Sequence, residues 1–206
     1  MRKDTTMRLS RKTIIAVAGV ALAAVSVTSC QTQSADASEE ATRGTGTVSI
    51  ETERITVPPA AVKWADAADG TSCGAVNADL ILGTIAATSG FDAGREKPDT
   101  GGAGWSGFAS EPWKVYGTGN DADRADGQAA ITAVAARLCD SYRSAAVMSE
   151  DGVRGSVDDL ALSTYLVGEH YTRQYGVTPA GADWDPHGVR ADITNISTAA
   201  ASARNL

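Results

Sequence analysis

The sequence predicts a mostly α-helical domain that follows an export signal and a polar linker. Three observations predict this fold class. Alanine is abundant in the folded part, and aromatic residues make up only 5% of the chain. From about residue 60 to residue 175, apolar residues recur at intervals of three and four, which is the spacing of one face of an α-helix.

Residues 1–29 have the pattern of a secretory signal peptide. Five Lys and Arg residues lie among residues 2–12, and an almost uncharged apolar run extends from Thr13 to Val27. This run is shorter than the roughly 20 residues that a spanning helix needs, so we expect the chain to be exported.

The segment from Val27 to Cys30 reads Val-Thr-Ser-Cys and resembles the lipobox of bacterial lipoproteins. The resemblance implies that Cys30 carries two acyl chains, which anchor a protein stably where one chain does not. The protein would then be held at the extracellular face of the cell membrane. An ordinary secretory signal with an unmodified cysteine is the alternative.

The chain beyond the signal is acidic. Five of the 18 basic and one of the 25 acidic residues lie within residues 1–29, which leaves 13 basic and 24 acidic residues. This balance argues against nucleic acid as a partner, because phosphate binding depends on Lys and Arg. It also argues against electrostatic docking to anionic lipid, so membrane attachment would depend on the lipid at Cys30.

The remaining chain divides into three segments by composition. Residues 30–59 are rich in Ser, Thr, Ala, Gly and Glu and are predicted to form a flexible tether, with a short strand within residues 47–57 as the alternative. Residues 60–185 are predicted to form the folded domain. Residues 186–206 are predicted to form a tail, in which only Ile193 and Ile196 would make a helical contact.

Four helices are predicted inside the domain. The first covers residues 60–68. The second, third and fourth begin at residues that are typical N-caps, Asn77, Asp126 and Ser156 respectively. The second ends at Gly90. Between the second and third helices lies a long loop rich in Gly and Asp, residues 91–127. Loops of this length are usually functional or disordered, and its aromatic residues favour a groove over disorder.

Two cysteines, Cys73 and Cys139, remain once Cys30 is acylated. In an exported protein such an even remainder is more often paired than free.

The order of these features resembles the lytic murein transglycosylases of actinobacterial envelopes, whose catalytic domain has a lysozyme-like helical fold. In that group a cysteine precedes the catalytic helix, as Cys73 does here, and a later helix ends in Leu-Cys, as Leu138-Cys139 does. The catalytic helix of the group ends in Glu-Ser before a Gly-containing loop, and this chain has Thr88-Ser89 there.

Three further motifs extend the resemblance over about residues 60–175. Residues 104–108 read Gly-Trp-Ser-Gly-Phe against the family's Gly-x-x-Gln-Phe, and Tyr116-Gly117 matches a Tyr-Gly step. Residues 164–166 read Thr-Tyr-Leu against Ala-Tyr-Asn. The resemblance implies a substrate groove lined by four aromatic side chains: Trp105, Phe108, Tyr116 and Tyr165.

The departures from the family fall on residues that carry its chemistry. A single glutamic acid of the family protonates the glycosidic oxygen and then accepts the proton of the sugar's 6-hydroxyl, which yields a 1,6-anhydro product. Thr88 stands at that position, and its hydroxyl has no acidic proton near neutral pH. Gly107 replaces the family's Gln and Leu166 replaces its Asn, so we expect a groove that no longer cleaves sugar.

Two carboxyl groups are candidate substitutes for the missing acid. Asp92 would share a helix face with Thr88 only if the helix continued through Gly90. Glu169 lies four residues after Tyr165 and would share its face on a continuous helix. Exposed polar residues are the simpler interpretation of both.

No metal and no cofactor are predicted. The acidic segment 181–192 offers Asp183, Asp185, His187 and Asp192 as possible ligands. Zinc sites usually have two or more His or Cys ligands, and this segment has one His. The loop at residues 120–123 lacks the Gly and Glu of a calcium loop.

Three functions remain open on the sequence. The first is a lipoprotein that binds peptidoglycan glycan or an envelope protein without catalysis. The second is an active lytic transglycosylase that cleaves the bond between N-acetylmuramic acid and N-acetylglucosamine, with Glu169 or Asp92 as its acid. The third is a structural lipoprotein that binds a partner protein and has no affinity for sugar. The oligomeric state stays open.

Overall fold

The computed structural model describes residues 46–50, 53–178, 185 and 188–206. Seven α-helices contain most of these residues, so the prediction of a mostly helical fold is confirmed. Their bounds are α1 Pro59–Asp69, α2 Ala78–Ser89, α3 Ser110–Tyr116, α4 Gly127–Glu150, α5 Val157–Val167, α6 Glu169–Tyr175 and α7 Val189–Ala203. The predicted signal peptide and Cys30 lie outside the described residues, and none of the described helices is long and apolar enough to cross a membrane.

The helix caps follow the sequence closely. The Asn77 side chain accepts a hydrogen bond from the Leu80 N–H at 2.9 Å, and Asp126 and Ser156 cap α4 and α5 in the same manner. The helix α2 ends at Gly90, whose φ of 68° is the left-handed conformation that glycine adopts without strain. These local signals confirm the predicted starts of α2, α4 and α5.

A β-hairpin precedes the helices, which corrects the predicted end of the tether at residue 59. Strand β1 (Thr47–Ile50) pairs antiparallel with β2 (Glu53–Thr56). Val48 and Val57 are fully buried, and β1 contacts α7. The described residues from 46 onward therefore belong to the folded domain, because their apolar side chains complete its core.

The helix α7 lies in the segment that was predicted to be a tail. Its packing against α2 is the most extensive contact between any two elements of the described structure. Ile193 and Ile196 are buried, together with alanines on the same face. The approach to α2 is close, since a Cβ at Gly83 would lie 2.4 Å from the Ala200 nitrogen. The prediction of a tail was therefore wrong. The sequence did not indicate this helix because small residues, rather than large apolar ones, form most of its contact with α2.

The long helix α4 holds the other half of the domain together. It packs against α1 on one side and α5 on another. The Cα atoms of Cys73 and Cys139 are 5.7 Å apart, and their sulphur atoms form a disulfide. This bond attaches the segment between α1 and α2 to the middle of α4.

The predicted loop at residues 91–127 has short regular elements. Strands β3 (Glu96–Lys97) and β4 (Gly102–Ala103) form a small hairpin, which is followed by α3 and a 3-10 turn at Asp121–Ala125. Trp113 of α3 is fully buried, and its indole N–H donates to the Asn120 carbonyl at 2.8 Å. The aromatic residues thus order this segment against α4.

Candidate functional site

A groove of about 320 Å³ lies beside the C-terminal end of α2. Thr88 contributes from α2, Gly107 and Phe108 from the loop before α3, and Tyr165 and Leu166 from the end of α5. We call it the Thr88 groove. Its volume lies within the range of small-molecule sites, and its wall combines apolar surface with a few polar groups.

The sequence motifs predicted these five residues for the groove, together with Trp105 and Tyr116. The five residues are far apart in the chain, and the fold brings them to one wall. Lys97, Arg137 and Asp192, which no motif contains, line the same groove.

Thr88 is half-buried in the last turn of α2. Its hydroxyl donates to the Thr84 carbonyl at 2.8 Å, within its own helix. The helix therefore presents a hydroxyl whose proton already has an acceptor. No acidic proton is available from this position.

The turn after Thr88 attaches the loop at residues 104–108 to α2. The buried Ser89 hydroxyl donates to the Trp105 carbonyl and accepts from the Phe91 N–H. Phe91 has a positive φ of 62°, an uncommon conformation for a residue with a side chain, and it costs about 1–3 kcal/mol. The ring of Phe91 compensates by packing edge-on against Trp105, with centroids 5.6 Å apart.

Gly107 keeps the groove open next to Thr88. Its φ of 64° favours glycine, and a Cβ there would lie 3.7 Å from the Thr88 Cβ and 3.9 Å from the Lys97 Nζ. A side chain at position 107 would extend into this space. In this chain the Lys97 ammonium group comes near it instead.

Arg137 of α4 forms the floor between two aromatic rings. Its guanidinium carbon lies 4.9 Å from the Phe108 ring centroid and 4.8 Å from that of Tyr165. One of its nitrogens donates to the Tyr165 carbonyl. Cation–π contacts and this hydrogen bond hold the guanidinium plane in one orientation.

Tyr165 is 3% exposed, and burial raises its pKa. Its hydroxyl has no hydrogen-bond partner among the described residues. Most buried polar groups are hydrogen-bonded, so this hydroxyl is an unused donor and acceptor inside the domain.

Two opposite charges face the groove from different elements. Burial lowers the pKa of Lys97, as does the neighbouring Arg95, while Asp192 opposes both. Burial raises the pKa of Asp192, with Lys97 opposing and Asp185 adding to the effect. The groove thus disfavours the charged form of each group. Lys97 was not predicted for the groove and Asp192 was considered only as a metal ligand, because no motif connects either residue to Thr88.

The other two aromatic residues predicted for the groove lie outside it. Trp105 does not line the groove and packs against Trp64, with ring centroids 6.0 Å apart. Tyr116 lies 6.4 Å from Phe108 but lines a neighbouring hollow of about 410 Å³.

Neither candidate substitute acid lines the Thr88 groove. Asp92 is exposed beyond the end of α2, and its side chain accepts from the Gly94 N–H at 2.8 Å. Glu169 lines the neighbouring hollow, where it accepts hydrogen bonds from Arg173 and Ser144. The hydrogen bond from Arg173, and to a smaller extent that from Ser144, lowers the pKa of Glu169. This carboxyl is therefore poorly suited to act as a general acid.

The described part of the acidic segment 181–192 has a structural role. The Asp185 side chain accepts from the Val189 and Arg190 N–H groups at 3.0 and 2.9 Å, at the start of α7. Asp183 and His187 lie outside the described residues. Among the described residues no group of three His, Cys, Asp or Glu could hold a metal ion.

Comparison of the chain with protein-family models, curated proteins and solved structures finds no match.

Proposed function

We propose that this chain is an exported, lipid-anchored envelope protein whose domain is lysozyme-like and whose Thr88 groove binds the glycan strands of peptidoglycan without cleaving them. The observation that carries the proposal is the meeting of Thr88, Gly107, Phe108, Tyr165 and Leu166 in one groove. The resemblance assigns these positions to the substrate groove of transglycosylases, and three of them have lost their polar groups.

The groove has features that suit a sugar ring. Sugars present apolar C–H faces and polar hydroxyls, and the groove combines the small exposed parts of Phe108 and Tyr165 with the hydroxyl of Thr88. The Arg137 guanidinium adds fixed donors in the same wall. These groups support binding, while the absence of a carboxyl at position 88 removes the family's general acid.

Blocking the groove tests the proposal. Thr100 is an exposed residue that lines it, so the bulky ring of Thr100→Trp should fill it and abolish sedimentation with purified peptidoglycan. The matched control is Thr118→Trp, another exposed turn position, which lines a different hollow. Equal sedimentation of the two variants would count against binding in this groove.

A second candidate function is cleavage with Asp192 as a relocated acid. One observation favours it: Asp192 is a carboxyl that lines the Thr88 groove, and burial raises its pKa. Asp192 would give its proton to the glycosidic oxygen as the bond to C1 breaks. The 6-hydroxyl oxygen would then bond to C1 and return its proton to Asp192.

Analysis of soluble products separates the two functions. The protein is incubated with peptidoglycan, and 1,6-anhydro-muropeptides are measured by mass spectrometry beside the variants Asp192→Asn and Thr88→Glu. We expect none from the natural protein and some from Thr88→Glu. Products from the natural protein that disappear in Asp192→Asn would establish cleavage by Asp192 instead.

A further inference from the structure

We propose that the Thr88 groove recognises a carboxylate on its ligand, through the Lys97 ammonium and the Arg137 guanidinium. This inference rests on the proposed function and names the class of glycan: one that carries carboxylates on its sugars or on peptides attached to them.

Lys97 and Arg137 line the Thr88 groove and have no ion pair with a described residue. Six other basic side chains have a carboxylate partner within 4.0 Å: Lys114, Arg124, Arg143, Arg173, Arg190 and Arg204. The other described basic side chains without such a partner do not line the Thr88 groove: Arg54, Lys63, Arg95 and Arg154. Because Lys97 and Arg137 line one groove, their positive charge is available to a ligand there.

The position of Lys97 favours an anion. The β3–β4 hairpin presents it half-buried to the groove, near Gly107. Partial burial of an ammonium group costs free energy unless a negative charge or hydrogen bonds compensate. A carboxylate in the groove would supply both, and charge-assisted hydrogen bonds of this kind are among the strongest in proteins.

Arg137 is already oriented for such a ligand. The rings of Phe108 and Tyr165 and the Tyr165 carbonyl hold its guanidinium, so little conformational entropy is lost when a further donor is used. A guanidinium has five N–H donors, and one bond occupies only part of this capacity. Lys97 and Arg137 therefore act on a ligand in the same groove as two fixed positive groups.

Asp192 should weaken the binding of a carboxylate in the Thr88 groove. It lines the groove and its charge would repel a bound carboxylate. Removing that charge by Asp192→Asn should strengthen the binding of acidic ligands, whereas a neutral sugar should respond little. The opposite effects of Lys97 and Asp192 give the experiment two variants with predicted signs.

The experiment measures dissociation constants by isothermal titration calorimetry for three probes. The first is a neutral tetramer of N-acetylglucosamine. The second is a peptide-free glycan tetramer, in which each muramic acid has a free lactyl carboxylate. The third is a free stem peptide, whose carboxylates are on amino acids. The proteins are the natural domain, Lys97→Met, Asp192→Asn and the control Lys63→Met, which removes an exposed lysine of α1.

We expect the acidic tetramer to bind roughly tenfold tighter than the neutral one, and Lys97→Met to remove that difference. Lys63→Met should retain the difference in affinity between the two tetramers, and Asp192→Asn should increase this difference. Tight binding of the stem peptide that depends on Lys97 would support carboxylate recognition and place the carboxylate on the peptide.

Equal affinity for the neutral and acidic tetramers would overturn this inference and leave glycan binding intact. A lack of binding by either tetramer would overturn the proposed function itself. Acidic binding that Lys97→Met and Lys63→Met weaken equally would also overturn the inference, since overall charge would then explain it.

Discussion

Tyr165 lines the Thr88 groove, and its hydroxyl is buried inside the domain without a hydrogen-bond partner among the described residues. A phenol that is not hydrogen-bonded costs free energy that a phenylalanine would not. The rest of the side chain packs between Phe108 and Arg137 and belongs to the core. Truncation to alanine would therefore damage the fold, and only removal of the hydroxyl isolates its role.

We expect Tyr165→Phe to leave the free energy of unfolding unchanged or to raise it by up to about 1 kcal/mol, because it removes an unpaired polar group. The same change should leave binding of the neutral N-acetylglucosamine tetramer unchanged, because the buried hydroxyl is not exposed to the groove. Urea denaturation and titration calorimetry measure the two effects.

Tyr142→Phe provides the matched control. The Tyr142 hydroxyl bonds Asp158 outside the groove, so its removal should lower stability and leave sugar binding unchanged. A loss of stability in Tyr165→Phe as large as that in Tyr142→Phe would show that the Tyr165 hydroxyl has a hydrogen-bond partner of its own.

At the scale of helices and strands, the sequence predicted elements with strong local signals and missed those that depend on tertiary packing. N-caps, periodic apolar residues and a glycine stop define α2, and caps also mark α4 and α5. The hairpin β1–β2 and α7 pack on each other, and each has few large apolar residues. Burial of alanine gains little free energy, so the pattern of α7 resembled a tail.

Tertiary packing also explains why only some of the groove residues were predicted from the sequence. Thr88, Phe108 and Tyr165 lie in motifs whose order could be compared with a family. Lys97 and Asp192 are isolated charged residues on β3 and α7, and only the packing of α7 against α2 brings Asp192 to Thr88. No local pattern in the chain records that contact.

The close packing of α2 on α7 leads to a prediction in which two effects oppose each other. Gly83→Ala gains about 1 kcal/mol of helix propensity. A Cβ there would lie 2.4 Å from the Ala200 nitrogen and 2.7 Å from its Cα, so one helix must shift. Because overpacking against backbone costs about 1–3 kcal/mol, we expect a net loss of stability and a lower melting temperature.

The exposed position Thr132 of α4 serves as the control. Thr132→Ala also gains helix propensity, and the smaller side chain pushes no neighbouring element away. This change should therefore be neutral or stabilising. A rise in melting temperature for Gly83→Ala equal to that of Thr132→Ala would show that the two helices are not in close contact.

For the domain as a whole, one covalent bond connects α4, which supplies Arg137, to the segment that leads into α2, which supplies Thr88. The disulfide joins the segment before α2 to Cys139, two residues after Arg137 on α4, across a sequence separation of 66. In the chain-entropy model a loop of this length stabilises the folded state by about 4 kcal/mol, which is a large part of the stability of a single domain. The bond acts on the unfolded chain more than on the groove itself.

We therefore expect the double change Cys73→Ser with Cys139→Ser to lower the free energy of unfolding by about 4 kcal/mol in urea denaturation without reductant. Reduction of the natural protein should give a similar loss, whereas the double variant should not respond to reductant. Below its unfolding transition the double variant should still sediment with peptidoglycan, because neither cysteine lines the Thr88 groove. A natural protein whose stability is insensitive to reductant would mean that the two cysteines are not paired.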